Sequence, residues 1–471
     1  MNTMNKTIYL KSATVLISLI MTACTSIPKD GGISDVQSLL GDKLNPGVIL
    51  PISGQENQFS TQQIDQMISE PLTLVNAEQL SISQNPLVRV RLSQVGVAAA
   101  DYAQAGRMEN PGFSYGRFTG QDYDASLLFD IGGVILMPLK RQLELRRLNT
   151  AKYKAAADVL EHIANTRRIW INAVAAKQQT ALMLKALESV EAGNNLTRQM
   201  SALGHSSIIE AADSEIFLSE MRTSLSRQQL SEASAKEALV RQLGLWGQRA
   251  RKLTLPDTLP KLPVIPLDVP SVEQQAIENR LDVRMANMNL EALAKNLQLT
   301  RLNPFLSAIE LGPALEKSEE GTDRGFELEF RIPIFDSGGI KTEKAKIIYQ
   351  QAQAQAEVTA IAAASNAREA LASYRNSMEI AKHYEDVLLP LRERVSQEQL
   401  LMYNGMLISV FDLLEDLRSA MNMESSYVDS IKDFWIADTN LQQALTGSGM
   451  PGMNFEGASL MPSAAADGAG H

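Results

Sequence analysis

Few side chains in this sequence are suited to covalent, redox or metal chemistry. Cysteine occurs once, as Cys24, which excludes an internal disulfide, a cysteine-rich zinc site and an iron–sulfur cluster. No nucleophile–base pair or phosphate-binding loop stands out, so we predict no enzyme activity, no catalytic residue and no cofactor. The four histidines lie too far apart in sequence to form a metal-ligand pair at helical spacing, and no metal site is predicted: His162, His205, His383 and His471.

The charge of the chain narrows its possible partners. The 471 residues carry a formal charge of −10 at pH 7, and 45% of them are hydrophobic. A nucleic-acid binder needs a basic face that displaces counterions from phosphates, so we predict no nucleic-acid partner. The length suits either two or three ordinary domains or one very elongated one.

The sequence before Cys24 predicts the role of this residue. Residues 1–23 combine Lys6 and Lys11 with an apolar run too short to span a bilayer, which is typical of an export signal peptide. The run ends in Met-Thr-Ala-Cys, a pattern that resembles a bacterial lipobox, so Cys24 is the predicted site of lipidation. Residues 24–70 then form a lipidated N-terminal tether. The alternative is an ordinary signal peptide followed by an incidental thiol.

The rest of the chain repeats one pattern twice. Asn85 and Asn110 are 25 residues apart in the first copy, and Asn279 and Asn303 are 24 residues apart in the second. Five prolines between 256 and 270 exclude a regular helix and indicate a stiff linker. The predicted segments are a first repeat at 71–250, a Pro-rich linker at 251–270, a second repeat at 271–447 and a disordered Met/Gly/Ala tail at 448–471.

Each repeat contains two short runs in which apolar and polar residues alternate. The clearest run spans 326–334, where a period of two puts Glu327, Glu329 and Arg331 on the face opposite to the apolar residues. The other runs lie at 113–118, 126–132 and 305–311. We predict four strands per chain, each about as long as a tilted transmembrane strand.

Two structures fit these strands. Amphipathic hairpins could pack on a soluble core, but the export signal, the lipidation site and the repetition favour a membrane barrel. Four strands cannot close a barrel, and open edges in hydrocarbon leave backbone groups unpaired, so the chain would have to oligomerise. Two copies give a filled eight-stranded barrel, whereas three give twelve strands and room for a passage. A face with Glu327, Glu329 and Arg331 fits a wet barrel lumen.

Long helical runs complete each repeat. Residues 337–402 show a nearly continuous helical pattern about 100 Å long at 1.5 Å per residue, with Pro390 as its only strong breaker. The first repeat has a counterpart at about 140–200. Each run ends at a glycine, Gly204 or Gly405, and a second helical run then leads back along the first. This order predicts helical hairpins with coiled-coil-like seams. A rod-like scaffold would have the same helices.

Short motifs recur in a fixed order between about residues 65 and 447. They are Leu72-Thr73-Leu74 with Asn85-Pro86, Asn110-Pro111, Leu281-Asp282-Val283-Arg284 with Asn303-Pro304, Ile332-Pro333-Ile334-Phe335-Asp336-Ser337-Gly338-Gly339, and Tyr403-Asn404-Gly405 followed by Ser409 and Asp412. Together they resemble the outer membrane efflux protein family, the TolC-type outer membrane factors, in its lipoprotein branch. The resemblance implies a homotrimer of mainly α-helical chains, with a twelve-stranded β-barrel in the outer membrane and an α-helical tunnel in the periplasm.

The resemblance also implies partners and residue roles. The partners are a periplasmic adaptor (membrane fusion) protein and an inner-membrane pump, which is commonly proton-driven in this branch. The hairpin tips at Gly204 and Gly405 would touch the adaptor, and Asp412 and Glu415 match acidic residues that ring the periplasmic entrance. A ring of carboxylates favours cations. The alternatives are a solvated helix face for the carboxylates and a plain helix cap for Gly204.

The sequence therefore predicts the exit duct of a tripartite efflux system. It would be a passive trimeric channel, lipid-anchored in the outer membrane and extending into the periplasm, that carries drugs or metal ions received from the pump. A type I protein-secretion duct is the alternative in the same class. A lipid-anchored periplasmic coiled-coil scaffold without channel activity is the alternative from another class.

Overall fold

Long helices and one small sheet make up the structure, a computed structural model. It describes residues 28–46, 48–51, 61–117, 123–265, 267, 269–306, 309–318, 321–330 and 339–447. Four features predicted from the sequence lie outside these ranges: the signal peptide at 1–23, Cys24, Arg331 and the tail at 448–471.

The first half of the chain runs from short helices through a strand pair to a long helical hairpin. Thr73 begins the second pair of helices by accepting a hydrogen bond from the Asn76 amide, and Asn85 does the same for Leu87. Pro86 follows in the first helical turn. A backbone N–H at this position would have no partner within the helix, so its absence in proline costs no hydrogen bond. The elements are α1 (Ile33–Leu40), a 3-10 turn (Gly41–Lys43), α2 (Thr61–Ser69), α3 (Leu74–Gln84), α4 (Pro86–Ala105), β1 (Gly112–Arg117), β2 (Tyr123–Asp130), α5 (Ile131–Ala202), α6 (Ile208–Leu243) and α7 (Gln248–Lys252).

The second half repeats the order found from α3 to α6, with two helices, two strands and a long helical hairpin. The predicted break at Pro390 is confirmed, because a π-helical turn precedes it and Pro390 then lies in the first turn of a new helix. The elements are α8 (Val272–Asn279), α9 (Leu281–Leu306), β3 (Ile309–Ser318), β4 (Gly321–Phe330), α10 (Gly339–His383), the π turn (Tyr384–Leu388), α11 (Leu389–Asn404) and α12 (Val410–Thr446).

The boundary between β2 and α5 differs from the prediction. The alternating pattern placed a strand at 126–132, whereas β2 ends at Asp130 and α5 begins at Ile131. The Asp130 carboxylate accepts a hydrogen bond from the Gly133 amide at 2.7 Å, as a helix-capping side chain does. This local bond ends the strand although the apolar alternation continues for another residue.

Contacts divide the chain into two compact units. Unit 1 comprises residues 1–180, 226–258 and 281–360, and unit 2 comprises 181–225, 259–280 and 361–471. Each unit therefore takes segments from both repeats.

The core of unit 1 includes the N-terminal segment that the sequence assigned to a tether. Ile33, Val36 and Leu40 of α1 are buried, and Val48 and Leu50 extend the same cluster. They pack with apolar side chains of α4 and α5, so the segment from 33 to 50 is part of the folded unit rather than a free linker. Lipidation at Cys24, which precedes this segment in the sequence, stays a prediction.

The core of unit 2 is built around aromatic side chains. Tyr374 and Phe434 are buried with ring centroids 5.4 Å apart, and Phe434 makes an edge contact with Trp435. The Leu267 amide donates to the Tyr374 hydroxyl, and the Trp435 indole donates to the Pro260 carbonyl. These bonds fix the Pro-rich linker, whose prolines leave few backbone N–H groups to fix it otherwise.

A buried histidine lies in a polar cluster of unit 1. His162 is 4% exposed, its Nε2 lies 3.3 Å from the Ser81 carbonyl oxygen, and the Gln242 amide lies 3.3 Å from Nδ1. A neutral ring fits both contacts, since it donates at Nε2 and accepts at Nδ1. Burial, with a smaller contribution from the positive charge of Arg91, lowers the pKa of His162 to about 4.

We predict that His162 makes unit 1 sensitive to acid. A pKa of about 4 in the folded chain lies below the unfolded value of 6.5, so the unfolded state binds the extra proton and stability falls as the pH drops from 6.5 towards 4. The loss at pH 4 is on the order of 3 kcal/mol. In His162→Gln, the difference in melting temperature between pH 7 and pH 4.5, followed by circular dichroism, should shrink.

The exposed His383 provides the matched control. His383→Gln should keep the full pH dependence of the parent chain. An equal pH dependence in His162→Gln and the parent chain would contradict the prediction.

Candidate functional site

The sheet of unit 1 has four antiparallel strands in the order β1-β2-β3-β4. Residues paired across neighbouring strands lie on the same face, and faces alternate along each strand. The register pairs Asp124 with Glu316 and Glu316 with Asp323 near the hairpin end, so these three positions form a row across three strands. At the other end, it aligns Asp130, Glu310 and Glu329 in a second row.

One face of the sheet is therefore acidic. It carries five acidic side chains and, in the described strands, no lysine or arginine: Asp124, Asp130, Glu316, Asp323 and Glu327. We call it the acidic face. The register places Glu327 on this face, whereas the side chain of Glu329, like Arg331, lies outside the described part of the chain. Their role in a lumen stays a prediction.

The opposite face is apolar over most of its length, and we call it the apolar face. Phe113 is 70% exposed and Phe326 83% exposed, although large aromatic side chains are normally buried. Its described apolar residues are Phe113, Tyr115, Tyr123, Ala125, Leu127, Phe129, Leu311, Pro313, Leu315, Phe326 and Leu328. The only charged residues of this face in the described strands are basic: Arg117, Lys317 and Arg324.

Both edges of the sheet are open. In the described chain, β1 pairs only with β2, and β4 pairs only with β3. The outer edges of β1 and β4 therefore present backbone donors and acceptors that can pair with another strand.

None of the described helices combines the length and the apolar character needed to span a bilayer. Within the same residues, no group of three or more His, Cys, Asp or Glu side chains is arranged to hold a metal ion.

The two predicted hairpin tips lie in unit 2, at the same end of its helices. The side chain of Leu414 packs on Gly193. Leu414 lies four residues after the start of α12, and Gly193 lies nine residues before the end of α5. The approach is so close that a Cβ on Gly193 would lie 2.6 Å from a methyl group of Leu414. Since α5 ends where α12 begins, the turns after α5 and before α12 are neighbours.

The glycines have different roles in the two turns. Gly204 adopts φ +77, the left-handed conformation that ends many helices. Gly405 follows α11 with an ordinary φ of −79, and the left-handed residue of that turn is Met406. Both predicted turns are present, but contact with an adaptor stays a prediction.

Exposed apolar side chains surround both turns, and sequence reasoning missed them. Leu203, Ile208 and Ile209 flank the first turn, and Met406, which is 93% exposed, and Leu407 lie in the second. They stand in short apolar runs without helical or strand periodicity, so no pattern in the sequence indicates that they form a surface. Together they form an apolar surface at one end of unit 2, which we call the tip surface.

The two predicted gate carboxylates are exposed and have local partners. Asp412 accepts hydrogen bonds from the amide and hydroxyl of Ser409 and so completes a capping box at the start of α12. These bonds lower the pKa of Asp412. Glu415 lies 3.8 Å from Arg418, which also approaches Glu220 of α6 at 3.6 Å. Neither contact tests whether these carboxylates face an entrance.

A third carboxylate, Asp416, is buried between α11 and α12. It forms a salt bridge with Arg392 and accepts a hydrogen bond from the Ser396 hydroxyl at 2.7 Å. The Arg392 guanidinium also donates to the Asp416 carbonyl oxygen at 2.7 Å. The two helices of the hairpin are therefore joined by a charged link only about three turns from the tip.

Comparison with solved structures shows which known proteins share this architecture. No protein-family model and no curated protein matches the sequence. A membrane protein from Pseudomonas aeruginosa superposes with a TM-score of 0.68 at 18% identity, covering 86% of this chain and 97% of that one. The outer membrane channel CmeC of Campylobacter jejuni gives 0.67 at 15% identity, covering 85% and 91%. CusC, described in terms of transmembrane channel formation, gives 0.66 at 17% identity, covering 86% and 98%.

The chain has the fold of outer-membrane channels. The combination of long helical hairpins with four strands per chain, which the resemblance to the efflux protein family implied, is confirmed. The number of chains and the closure of the sheet stay predictions.

We predict that the buried link between α11 and α12 is a major contributor to the stability of unit 2. Asp416→Asn keeps the shape of the side chain but leaves the Arg392 charge buried without a counter-charge, which should cost about 3 kcal/mol. Thermal unfolding of the solubilised protein, followed by far-ultraviolet circular dichroism, measures the loss.

Glu415→Gln is the matched control, one position away and exposed. It should change stability by less than about 0.5 kcal/mol. Equal stabilities of Asp416→Asn and the parent chain would show that the link contributes nothing.

Proposed function

We propose that this chain is the outer-membrane exit duct of a tripartite efflux system, acting as a passive trimeric channel. The observation that supports it most directly is the sheet of unit 1, which has two open edges, one acidic face and one exposed apolar face. A channel wall needs all three properties: edges that continue into neighbouring chains, a wet inner face and a lipid-facing outer face.

Closure of the barrel requires three copies in this proposal. Unpaired backbone groups cost several kcal/mol each in hydrocarbon, so a four-stranded sheet must extend into other chains. Eight strands would leave an interior filled by side chains, and the acidic face would then be buried in carboxylate-to-carboxylate contact. Twelve strands leave a water-filled passage in which these residues remain hydrated.

The helical hairpins form the periplasmic part of the duct in this proposal. The tip surface around Gly204 and Gly405 supplies exposed apolar side chains on which a periplasmic adaptor can dock. Asp412 and Glu415, close to this end, would form the acidic ring of the entrance. The link between Arg392 and Asp416 keeps α11 and α12 together, so opening would move the hairpin as one body.

The anchor and compartment complete the proposal. Removal of residues 1–23 leaves Cys24 to be lipidated, and the lipid holds the N-terminus at the outer membrane while the pump at the inner membrane supplies energy.

Drugs and metal ions are both compatible with the duct, because the pump selects the cargo. The exposed apolar face of the sheet favours a channel over a periplasmic scaffold, since a scaffold has no use for it.

We predict a channel that conducts cations better than anions. In a planar bilayer with a tenfold potassium chloride gradient, the protein should give discrete conductance steps and a reversal potential of the sign expected for potassium. The triple variant Asp124→Asn/Glu316→Gln/Asp323→Asn removes the row nearest the hairpin end and should roughly halve the reversal potential.

The matched control changes three charges on the other face of the same strands. Arg117→Gln/Lys317→Gln/Arg324→Gln should leave the reversal potential unchanged, because these residues point away from the lumen. Absence of any conductance from the purified trimer, even with Asp412→Asn/Glu415→Gln, would contradict the duct. Conductance with equal selectivity in the parent chain and the acidic-face variant would contradict the assignment of the lumen.

A further inference from the structure

The basic residues of the strands are confined to one zone of the apolar face. Arg117, Lys317 and Arg324 are the only lysines or arginines in the described strands, and the register puts all three on that face. Each also lies within four positions of a hairpin end, in the half of the sheet farthest from the helices. The described acidic side chains of the strands occupy the opposite face, so within the described strands the sheet separates its charges by sign.

Aromatic rings fill the spaces between these basic residues. The register pairs Arg117 with Tyr123 and Tyr123 with Lys317, which gives one row across three strands. The Lys317 ammonium lies 5.6 Å from the centroid of the Tyr123 ring, and the rings of Tyr115 and Tyr123 are 6.0 Å apart. Arg324, paired with Leu315, continues the zone onto β4. We call these five residues the basic–aromatic row: Tyr115, Arg117, Tyr123, Lys317 and Arg324.

The remainder of the apolar face carries no charge in the described strands. Phe113, Leu311 and Phe326 are exposed there, beyond the basic–aromatic row on the side of the helices. Along a membrane-spanning strand, apolar side chains lie in the hydrocarbon, whereas tyrosine, lysine and arginine lie at headgroup level. The change from one zone to the other therefore marks the level at which lipid headgroups meet the sheet.

We propose that the basic–aromatic row binds the phosphate groups of the phosphorylated glycolipid in the outer leaflet. The proposal rests on the duct described above, since the hairpin end reaches that leaflet only if the sheet spans the membrane with its helices in the periplasm.

The charge pattern favours this ligand. No acidic residue of the described strands shares the face with these three basic side chains, so within those strands no carboxylate lies beside them to repel a phosphate. Strands lie about 4.8 Å apart, which puts the Cα atoms of Arg117 and Lys317 about 10 Å apart. Two basic side chains at that separation can each reach a different phosphate, and arginine can bind one through two parallel hydrogen bonds. The tyrosine rings pack on the glycolipid beside them.

Lipid titration of the purified full-length protein tests the proposal. Native mass spectrometry in a non-ionic detergent measures the binding of lipid A, of lipid A stripped of its phosphates, and of phosphatidylglycerol. We expect lipid A to bind most tightly. Each basic side chain near a charged lipid surface contributes roughly a fivefold gain in affinity, so Arg117→Gln/Lys317→Gln/Arg324→Gln should weaken lipid A binding about a hundredfold.

The control variant removes the same residue types from exposed helix positions. Lys185→Gln/Arg198→Gln/Arg227→Gln takes away one lysine and two arginines outside the sheet and should bind lipid A like the parent chain. The proposal is overturned if the sheet variant binds lipid A as tightly as the parent chain. Equal affinity for dephosphorylated lipid A or for phosphatidylglycerol overturns it too.

Conductance of the same preparations separates this inference from the proposed function. A parent chain that conducts but binds lipid A no better than the sheet variant keeps the duct and loses the lipid site. A parent chain that binds lipid A through these residues without conducting keeps the lipid site and the membrane-spanning sheet but contradicts a conducting duct.

Discussion

The unpaired backbone of two strands is the constraint on which the rest of the structure depends. Each chain provides a sheet whose first and last strands pair on one side only within the described residues. Those edges have no protein partner in a single chain, and lipid offers no hydrogen bonds in exchange. The edge of β1 in one copy and the edge of β4 in another are complementary but different surfaces, so the contact is heterologous and makes a ring only if its rotation closes. The trimer follows from that closure in our proposal.

Strand register connects this constraint to the chemistry of the sheet. A slip of one residue between β2 and β3 would move the acidic residues of one strand to the apolar face. Gly312 contributes to fixing the register, because a Cβ at this position would clash with the carbonyl oxygen of Leu127. The neighbouring Pro313 has no backbone N–H and cannot donate a hydrogen bond to β2. The pairing of β2 with β3 stops at Ser126 opposite Ala314 and continues at Phe129 opposite Leu311. One correct alignment thus separates acidic from basic and apolar residues over four strands.

Several parts of this structure could be read from the sequence because local patterns determine them. The alternation in β4, the caps at Thr73 and Asn85 and the break at Pro390 each depend on residues within one or two turns of each other. The remaining features depend on partners far away in the chain. Asp412 binds Ser409, three residues away, whereas Asp416 is paired with Arg392, 24 residues earlier, on another helix. The sign separation of the sheet needs the alignment of β2 with β3, which lie in different repeats. The packing of 33–50 needs surfaces from α4 and α5.

Cross-linking between copies tests the central claim most directly. Ser114→Cys on β1 can be combined in turn with Asp323→Cys, Gly325→Cys and Glu327→Cys on β4, all on the acidic face. If β1 of each chain pairs with β4 of the next in a closed ring, one combination should form disulfides in the outer membrane, and the products should stop at three linked chains. A series that never cross-links, or a ladder that continues beyond three chains, would contradict the closed barrel.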